Sequence, residues 1–444
     1  MTADEGTFGS SGQELYRKAR KIIPGGTQLL SKRPEMLLPN LWPSYYSRAK
    51  GVETWGLDGK KYIDMSYSAI GACILGFADP DVDEAVIDAI RKGSMSTLNC
   101  PEEVELAELL CNLHPWAENV RYARGGGEAM SVAVRIARAK TKRDKIAFCG
   151  YHGWHDWYLA ANLAAEDALD GHLLPGLEPA GVPRGLRGTA IPFHYNRIDE
   201  LEAIVSANKG DLAAIVSEPL RNYHPAPGFL ERMREIATEI GAVLIFDEVS
   251  AAWRLNTGGA HLLYNVQPDM AVLAKAMSNG YPMAAIIGRE DVMQAAQNSF
   301  ISSTYWTERI GPTAALATIE KHRHCNVAEH LIRIGSAIQS GWQKAAERAG
   351  ISIHVSGIPP LGHFDFEYTN AQEIRTLFTQ IMLEKGYLAT NAFYSSYAHS
   401  DHHVDCYLEE VERTFEVLVG AIEKGEVERL LKGPVAHTGF YRLA

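Results

Sequence analysis

Two residues, Asp247 and Lys275, are of types and in places that a folded chain does not choose for packing alone. Residues 242–246 (AVLIF) run into Asp247-Glu248, and residues 270–274 (MAVLA) run into Lys275. Runs this short, rich in aliphatic residues, predict buried strands of a parallel sheet. Ligands of such sheets sit beyond the carboxyl ends of the strands. A carboxylate there is costly unless paired, and Arg254 is one alternative partner for either acid. Neighbours on a strand point to opposite faces, so only one of Asp247 and Glu248 can serve a ligand. Pyridoxal phosphate has a use for both an amine and a carboxylate: a Schiff base to its aldehyde, and a proton held on its pyridine nitrogen.

Other residues are weaker signals. Gly125, Gly126 and Gly127 lie between a predicted strand at 120–123 and a predicted helix at 128–141. A helix start with bare backbone suits a phosphate, although three glycines suit a plain tight turn equally well. Tyr151 follows a predicted strand at 145–149, where it can stack on a planar heterocycle or pack in the core. His152 and His155 stand near Asp156, but no further ligands occur at metal spacing, so hydrogen-bonding histidines are expected and no metal. His399, His402 and His403, with Asp401 and Asp405, predict a helix start and a solvated face.

The elements that must position these residues alternate between strand and helix from about 120. Strands are expected at 212–217, ending at Glu218-Pro219, and at 283–288, with a helix at 229–240. Before them come a helix at 14–23, a hairpin over 51–64 turning at Asp58-Gly59, and helices at 79–92 and 101–113. The stretch 160–190 is rich in Gly and Pro and long for a loop, which suggests a lid. Beyond 313 one long helix to about 350, short strands and a closing helix at 407–424 form a separate piece. The pattern predicts an α/β domain with a mostly parallel sheet, flanked by an α+β domain. We place the divisions at 1–66, an N-terminal segment of the small domain, 67–312, the large domain, and 313–444, the C-terminal small domain.

Composition narrows the field. The 444 residues exceed the usual size of one domain, and 46% are hydrophobic. A formal charge of −11 speaks against nucleic acid or an anionic membrane as the main partner. No apolar run is long enough to span a bilayer, and residues 1–13 lack the basic and apolar parts of a signal peptide. The six cysteines form no CxxC pair, as expected of free thiols in a reducing cytoplasm.

Taken in order, the motifs Ile23-Pro-Gly-Gly26, Gly-Gly-Gly-Glu-Ala129, Tyr-His-Gly153, Glu218-Pro219, Phe-Asp-Glu-Val249, Leu-Ala-Lys275 and Trp-Thr-Glu-Arg-Ile-Gly-Pro312 resemble the class III, fold-type I pyridoxal-phosphate aminotransferases. Within them the chain is most similar to the glutamate-1-semialdehyde aminomutase-like branch. The resemblance implies a seven-stranded, mostly parallel sheet between helices. It also implies that Lys275 forms the Schiff base and Asp247 partners the ring nitrogen. Val249 and Tyr151 would cover the two ring faces, and Gly126 and Gly127, with Gly125, would cradle the phosphate. Glu218 and Asn222 would lie beside the cofactor. Thr307, with Ser303 and Thr304 as alternatives, would reach the phosphate from a neighbouring subunit, which makes a homodimer with shared active sites. Four departures concern the phosphate turn and the substrate: Gly-Gly-Gly in place of Ser-Gly-Thr, Leu29 and Lys32 in place of a Ser and an Arg, no Trp near residue 69, where the nearest aromatic is Tyr67, and no Glu in the loop at 392–399. The last three point away from glutamate-1-semialdehyde. The expected function is amino transfer between a small-molecule amino donor and a carbonyl acceptor, with the aminomutase as the alternative. A decarboxylase or racemase would use the same lysine, and a non-catalytic binding module would need only the glycine turn. Arg221, Arg254, Arg309 and Lys32 are candidate carboxylate binders, or else solvated or salt-bridged.

Overall fold

A computed structural model describes residues 11–172, 175–220 and 223–440. The chain forms two compact units. One comprises residues up to Asp79 and from His330 onward, and the other Pro80–Glu329. The boundaries differ from 66/67 and 312/313 for local reasons. Residues 74–77 stay bonded to the first unit through the Gly51–Phe77 bridge and the Tyr397 N–H to the Ile74 carbonyl. The Ile310–His324 helix packs on the Pro80–Arg91 helix of the second unit, where Lys321 pairs with Asp81 at 2.6 Å.

The first unit opens with strands β1 (Tyr46–Lys50), β2 (Glu53–Gly56) and β3 (Lys61–Met65). The β2–β3 hairpin turns at Asp58-Gly59, where Gly59 has φ 79°, a value that favours glycine.

The second unit carries β4 (Asn119–Ala123), β5 (Lys145–Cys149), β6 (Ala190–Pro192), β7 (Leu212–Ser217), β8 (Val243–Asp247), β9 (Met270–Leu273) and β10 (Ala284–Gly288). They form one seven-stranded sheet in the order β4-β10-β9-β8-β7-β5-β6, with only β10 antiparallel to its neighbours. Every residue of β7, β8, β9 and β10 is buried, so both faces must be covered. Val243, Ile245, Val272, Ile286, Ile146 and Phe148 face one core, together with Met130, Ala133, Val134 and Ala137 of the Gly126–Thr141 helix. The Phe229–Ile240 helix packs on β7 and β8 and buries Phe229, Leu230, Met233, Ile236 and Ala237. The six parallel strands end on one edge, where Asp247 closes β8 and Lys275 follows β9.

The remaining strands, β11 (Ile353–Ser356), β12 (Leu361–Phe366), β13 (Tyr387–Ala389) and β14 (Ala392–Tyr394), belong to the first unit. There β13 extends β3 in parallel, and β11, β12 and β14 make an antiparallel sheet. The expected long helix after 313 is two helices, Ile310–His324 and Val327–Ala349, because Asn326 takes the left-handed conformation, φ 50°. The closing helix begins at Asp401, capped by Ser400 and His403. His399 is not on a solvated face: it is buried, its Nε2 donates to the Asp64 carbonyl at 2.9 Å, and burial pushes its pKa down to about 4.

Candidate active site

Strand alternation decides which acid faces which way. Asp247 continues the face of Val243 and Ile245; Glu248 points to the other. Asp247, 4% exposed, accepts from the Val249 N–H at 3.0 Å and lies 2.7 Å from His152 Nδ1. The other ring nitrogen, Nε2, is 3.0 Å from the Cys149 carbonyl, which only accepts. Nε2 therefore carries a proton, and a single proton links Nδ1 to Asp247. The histidine that sequence spacing assigned to hydrogen bonding is the direct partner of the strand-end carboxylate, and Trp157 stacks on its ring at 6.0 Å.

Glu248 is held by the fold. Its Oε1 accepts from the His261 N–H at 2.8 Å and from His261 Nδ1 at 2.7 Å. The indole N–H of Trp116 donates to His261 Nε2 at 2.9 Å, which fixes the Nδ1–H tautomer. Beside it, His114 accepts the Gly259 N–H, donates to the Leu110 carbonyl, and is pushed down to about 4 by burial. Glu248 Oε2 has no hydrogen-bond partner among the described residues. The Glu248–His261 contact spans loops with no local sequence signal.

Strands β8 and β9 are parallel neighbours with Asp247 level with Val272, so Lys275 emerges beside Asp247's strand end. Lys275 takes φ 46°, in the left-handed region, and its Nζ donates to Ser250 Oγ at 2.7 Å.

The glycine turn starts the Gly126–Thr141 helix, with Gly125 at the N-cap. The Gly125 carbonyl accepts the first helical N–H, from Ala129, and the preceding N–H groups of the first turn have no intrahelical partner. A Cβ on Gly125 would meet nothing within 4 Å, so this side is open. A Cβ on Gly126 would lie 2.9 Å from Val249 Cγ1 and 3.1 Å from Cγ2. A Cβ on Gly127 would lie 3.6 Å from the Gly153 Cα. The middle glycine is therefore demanded by contact with Val249, two residues beyond Asp247. Tyr151, half-buried against this core, is followed by His152 and preceded by Gly150 at φ 111°. Its N–H donates to Glu218 Oε2 at 3.4 Å, and a Cβ on Gly150 would lie 2.7 Å from the same oxygen.

Asn222 and Arg221 lie outside the described residues. Thr307 is exposed in the Thr304–Thr307 turn, its hydroxyl bonded to the Thr304 carbonyl at 2.9 Å, and Ser303 and Thr304 are exposed too. Arg309 is paired with Glu102 at 2.8 Å, and Arg254 is buried with Nε on the Ser250 carbonyl at 3.3 Å. In the 160–190 stretch, expected as a lid, several of the described residues are packed. Asn162, Leu169 and Val182 are buried, and Asn162 donates to the Leu177 carbonyl at 2.6 Å and accepts the Leu169 N–H at 2.9 Å. Among the described residues no group of three or more His, Cys, Asp or Glu could hold a metal ion.

The model of the class-III aminotransferases matches residues 39–415. This chain belongs to that family. Among its relatives, the 3-aminobutyryl-CoA aminotransferase of Cloacimonas acidaminovorans is 32% identical over 393 residues, 87% of this chain and 90% of that protein. The glutamate-1-semialdehyde 2,1-aminomutase of Desulforamulus reducens is 33% identical over 439 residues, 94% of this chain and 98% of that one. Among solved structures, the FumI protein of Sphingopyxis sp. MTA144, in its PLP internal aldimine form, superposes with TM-score 0.83 at 25% identity, covering 93% of this chain and 97% of that one. An omega-transaminase from Sphaerobacter thermophilus gives 0.82 at 25%, covering 93% and 98%. The aminotransferase is a fold-type I enzyme that uses pyridoxal phosphate. The residues at the strand ends fit that group: an amine, a buried carboxylate, and a helix start left open at Gly125.

Proposed function

We propose that the enzyme moves an amino group from an amino donor to a carbonyl acceptor in two half-reactions at a site centred on Lys275 and Asp247, within a cytoplasmic homodimer. The observation that carries this reading is an amine and a buried carboxylate at the ends of adjacent parallel strands. When bound, pyridoxal phosphate supplies an aldehyde that condenses with amines and a ring that accepts the electron pair left at the substrate Cα. In this proposal Lys275 holds the aldehyde and Asp247 the ring nitrogen. Val249 and Tyr151 cover the ring, and Glu218 fixes the Tyr151 backbone. Gly125, Gly126 and Gly127 receive the phosphate at the helix start, where free N–H groups favour an anion. Thr307 would serve the phosphate of the neighbouring subunit, and Asn222, outside the described residues, would take the role that the resemblance implies. His152 keeps the Asp247 carboxylate oriented. With the cofactor bound, Lys275 Nζ would also be the base that takes the proton from the donor's Cα.

The exposed apolar side chains Leu98, Trp154, Phe300 and Tyr305 on the Pro80–Glu329 unit favour a partner subunit. Free thiols at all six cysteines favour a reducing compartment. Light scattering should give twice the 48.9 kDa chain mass; a monomer with full activity would remove Thr307 from the proposal. Steady-state kinetics decide the reaction type. Parallel double-reciprocal lines with separate donor and acceptor are expected. Full turnover of glutamate-1-semialdehyde with no second substrate would overturn the reading in favour of an aminomutase. 3-Aminobutyryl-CoA, named by a relative, is the first donor to test.

A further inference from the structure

The Lys275 amine donates to the hydroxyl of Ser250, a residue that the family resemblance gave no role. Ser250 stands three residues beyond Asp247, in the turn that also places Val249. Its backbone is fixed from behind: the buried Arg254 donates to the Ser250 carbonyl at 3.3 Å, and the Ala252 N–H bonds back to the Glu248 carbonyl at 3.0 Å. Its side chain is thereby aimed at Lys275 Nζ, 2.7 Å away. Lys275 holds a left-handed backbone that a lysine adopts only at a cost. With the backbone of both residues constrained, the position of the amine is set by the long lysine side chain and by what receives it. A serine hydroxyl can accept from an ammonium and donate to a neutral amine, so it can hold Nζ in either protonation state.

We propose that Ser250 is a positioning residue for Lys275, holding its amine where it captures the aldehyde of pyridoxal phosphate. The inference rests on the role proposed for Lys275. Because the hydrogen bond from the charged amine is the stronger of the two, loss of Ser250 costs the charged form more, so the pH dependence of capture moves to lower pH.

The test uses full-length protein stripped of cofactor: wild type, S250A and S250T. Capture of pyridoxal phosphate is followed by visible absorbance in a stopped-flow instrument from pH 6 to 10. Equilibrium binding of pyridoxamine phosphate, which carries no aldehyde and needs no lysine, is measured in parallel. S250A is expected to capture pyridoxal phosphate about tenfold more slowly, as for loss of one hydrogen bond to a charged group. Its rate-versus-pH midpoint should fall, its pyridoxamine phosphate affinity should match wild type, and S250T should restore the rate. Equal weakening of both cofactor forms in S250A would reduce Ser250 to a structural or direct cofactor contact and overturn the proposal. So would unchanged capture kinetics and pH midpoint. Should wild type itself gain no visible absorbance with pyridoxal phosphate, the role of Lys275 fails first, an outcome separate from failure of S250A alone.

Discussion

The contact between Gly126 and Val249 gives a prediction with a magnitude. Carbon atoms pack at about 3.5–4.0 Å, whereas a Cβ on Gly126 would approach Val249 Cγ1 to 2.9 Å. Relief requires a shift of at least about 0.6 Å, by the helix start or by the Val249 turn. Overpacking of this kind costs about 1–3 kcal/mol. Alanine's intrinsic helix preference over glycine returns up to about 1 kcal/mol. G126A should therefore destabilise the apoenzyme by about 1 kcal/mol, a drop of roughly 2–4 °C in melting temperature for a unit of this size. Because the shift moves the proposed phosphate cradle, pyridoxal phosphate affinity should fall about tenfold, the scale at which placement errors below 1 Å are felt. The decisive comparison is G126A made in V249A, where the crowding methyl groups are gone. There the same substitution should be neutral or stabilising, a coupling of about 1–2 kcal/mol read by urea or thermal unfolding of the four apo proteins. If the cost of G126A is the same in both backgrounds, the two residues are not pressed together and the reasoning is wrong.

Three further outcomes follow from the buried polar groups. H152L removes the donor 2.7 Å from Asp247 and should cost about 3 kcal/mol, since one oxygen of a buried carboxylate loses its partner; a melting temperature within 1–2 °C of wild type would contradict it. H261F should destabilise by a similar amount, about 2–4 kcal/mol, by removing one of the two hydrogen bonds to buried Glu248 and leaving the Trp116 N–H unpaired, while leaving pyridoxal phosphate affinity of the folded enzyme nearly unchanged. Burial pushes His114, His322 and His399 down from 6.5 to about 4, so they stay neutral in the fold while the unfolded chain takes up protons. Their contribution is complete above pH 6.5 and is lost as pH falls toward 4. Each contributes a slope of about 1.4 kcal/mol per pH unit within that window. Flat urea midpoints between pH 7 and 5 would refute the buried, neutral assignment.

Much of the sheet was legible because its strands are short, apolar and buried on both faces. The bounds of β5, β7 and the Phe229–Ile240 helix coincide with the expected ones, set by unbroken aliphatic runs and by Gly241 at the helix end. Strand β6 was missed, since three residues ending in Pro carry no periodic signal and Ala190–Pro192 bonds only on the edge of the sheet. That β10 runs antiparallel depends on a turn at Asn279-Gly280, whose left-handed residues fit several connections. The division between Asp247 and Glu248 was readable from alternation, but not which acid took which partner. His152 and His261 reach them from 95 and 13 residues away, and only the folded chain brings them together. The expected cradle shows the same limit. The sequence offers three equivalent glycines, whereas in the fold Gly125 borders open space and Gly126 leaves no room for a Cβ beside Val249.

The central claim, that the Lys275 amine at the end of β9 captures the cofactor aldehyde beside Asp247, is tested most directly by replacing that lysine. Apo K275A, mixed with pyridoxal phosphate and a donor, should show no protein-bound visible absorbance of the wild-type kind and no turnover, while still binding pyridoxamine phosphate. Wild-type absorbance and turnover retained in K275A would contradict the account.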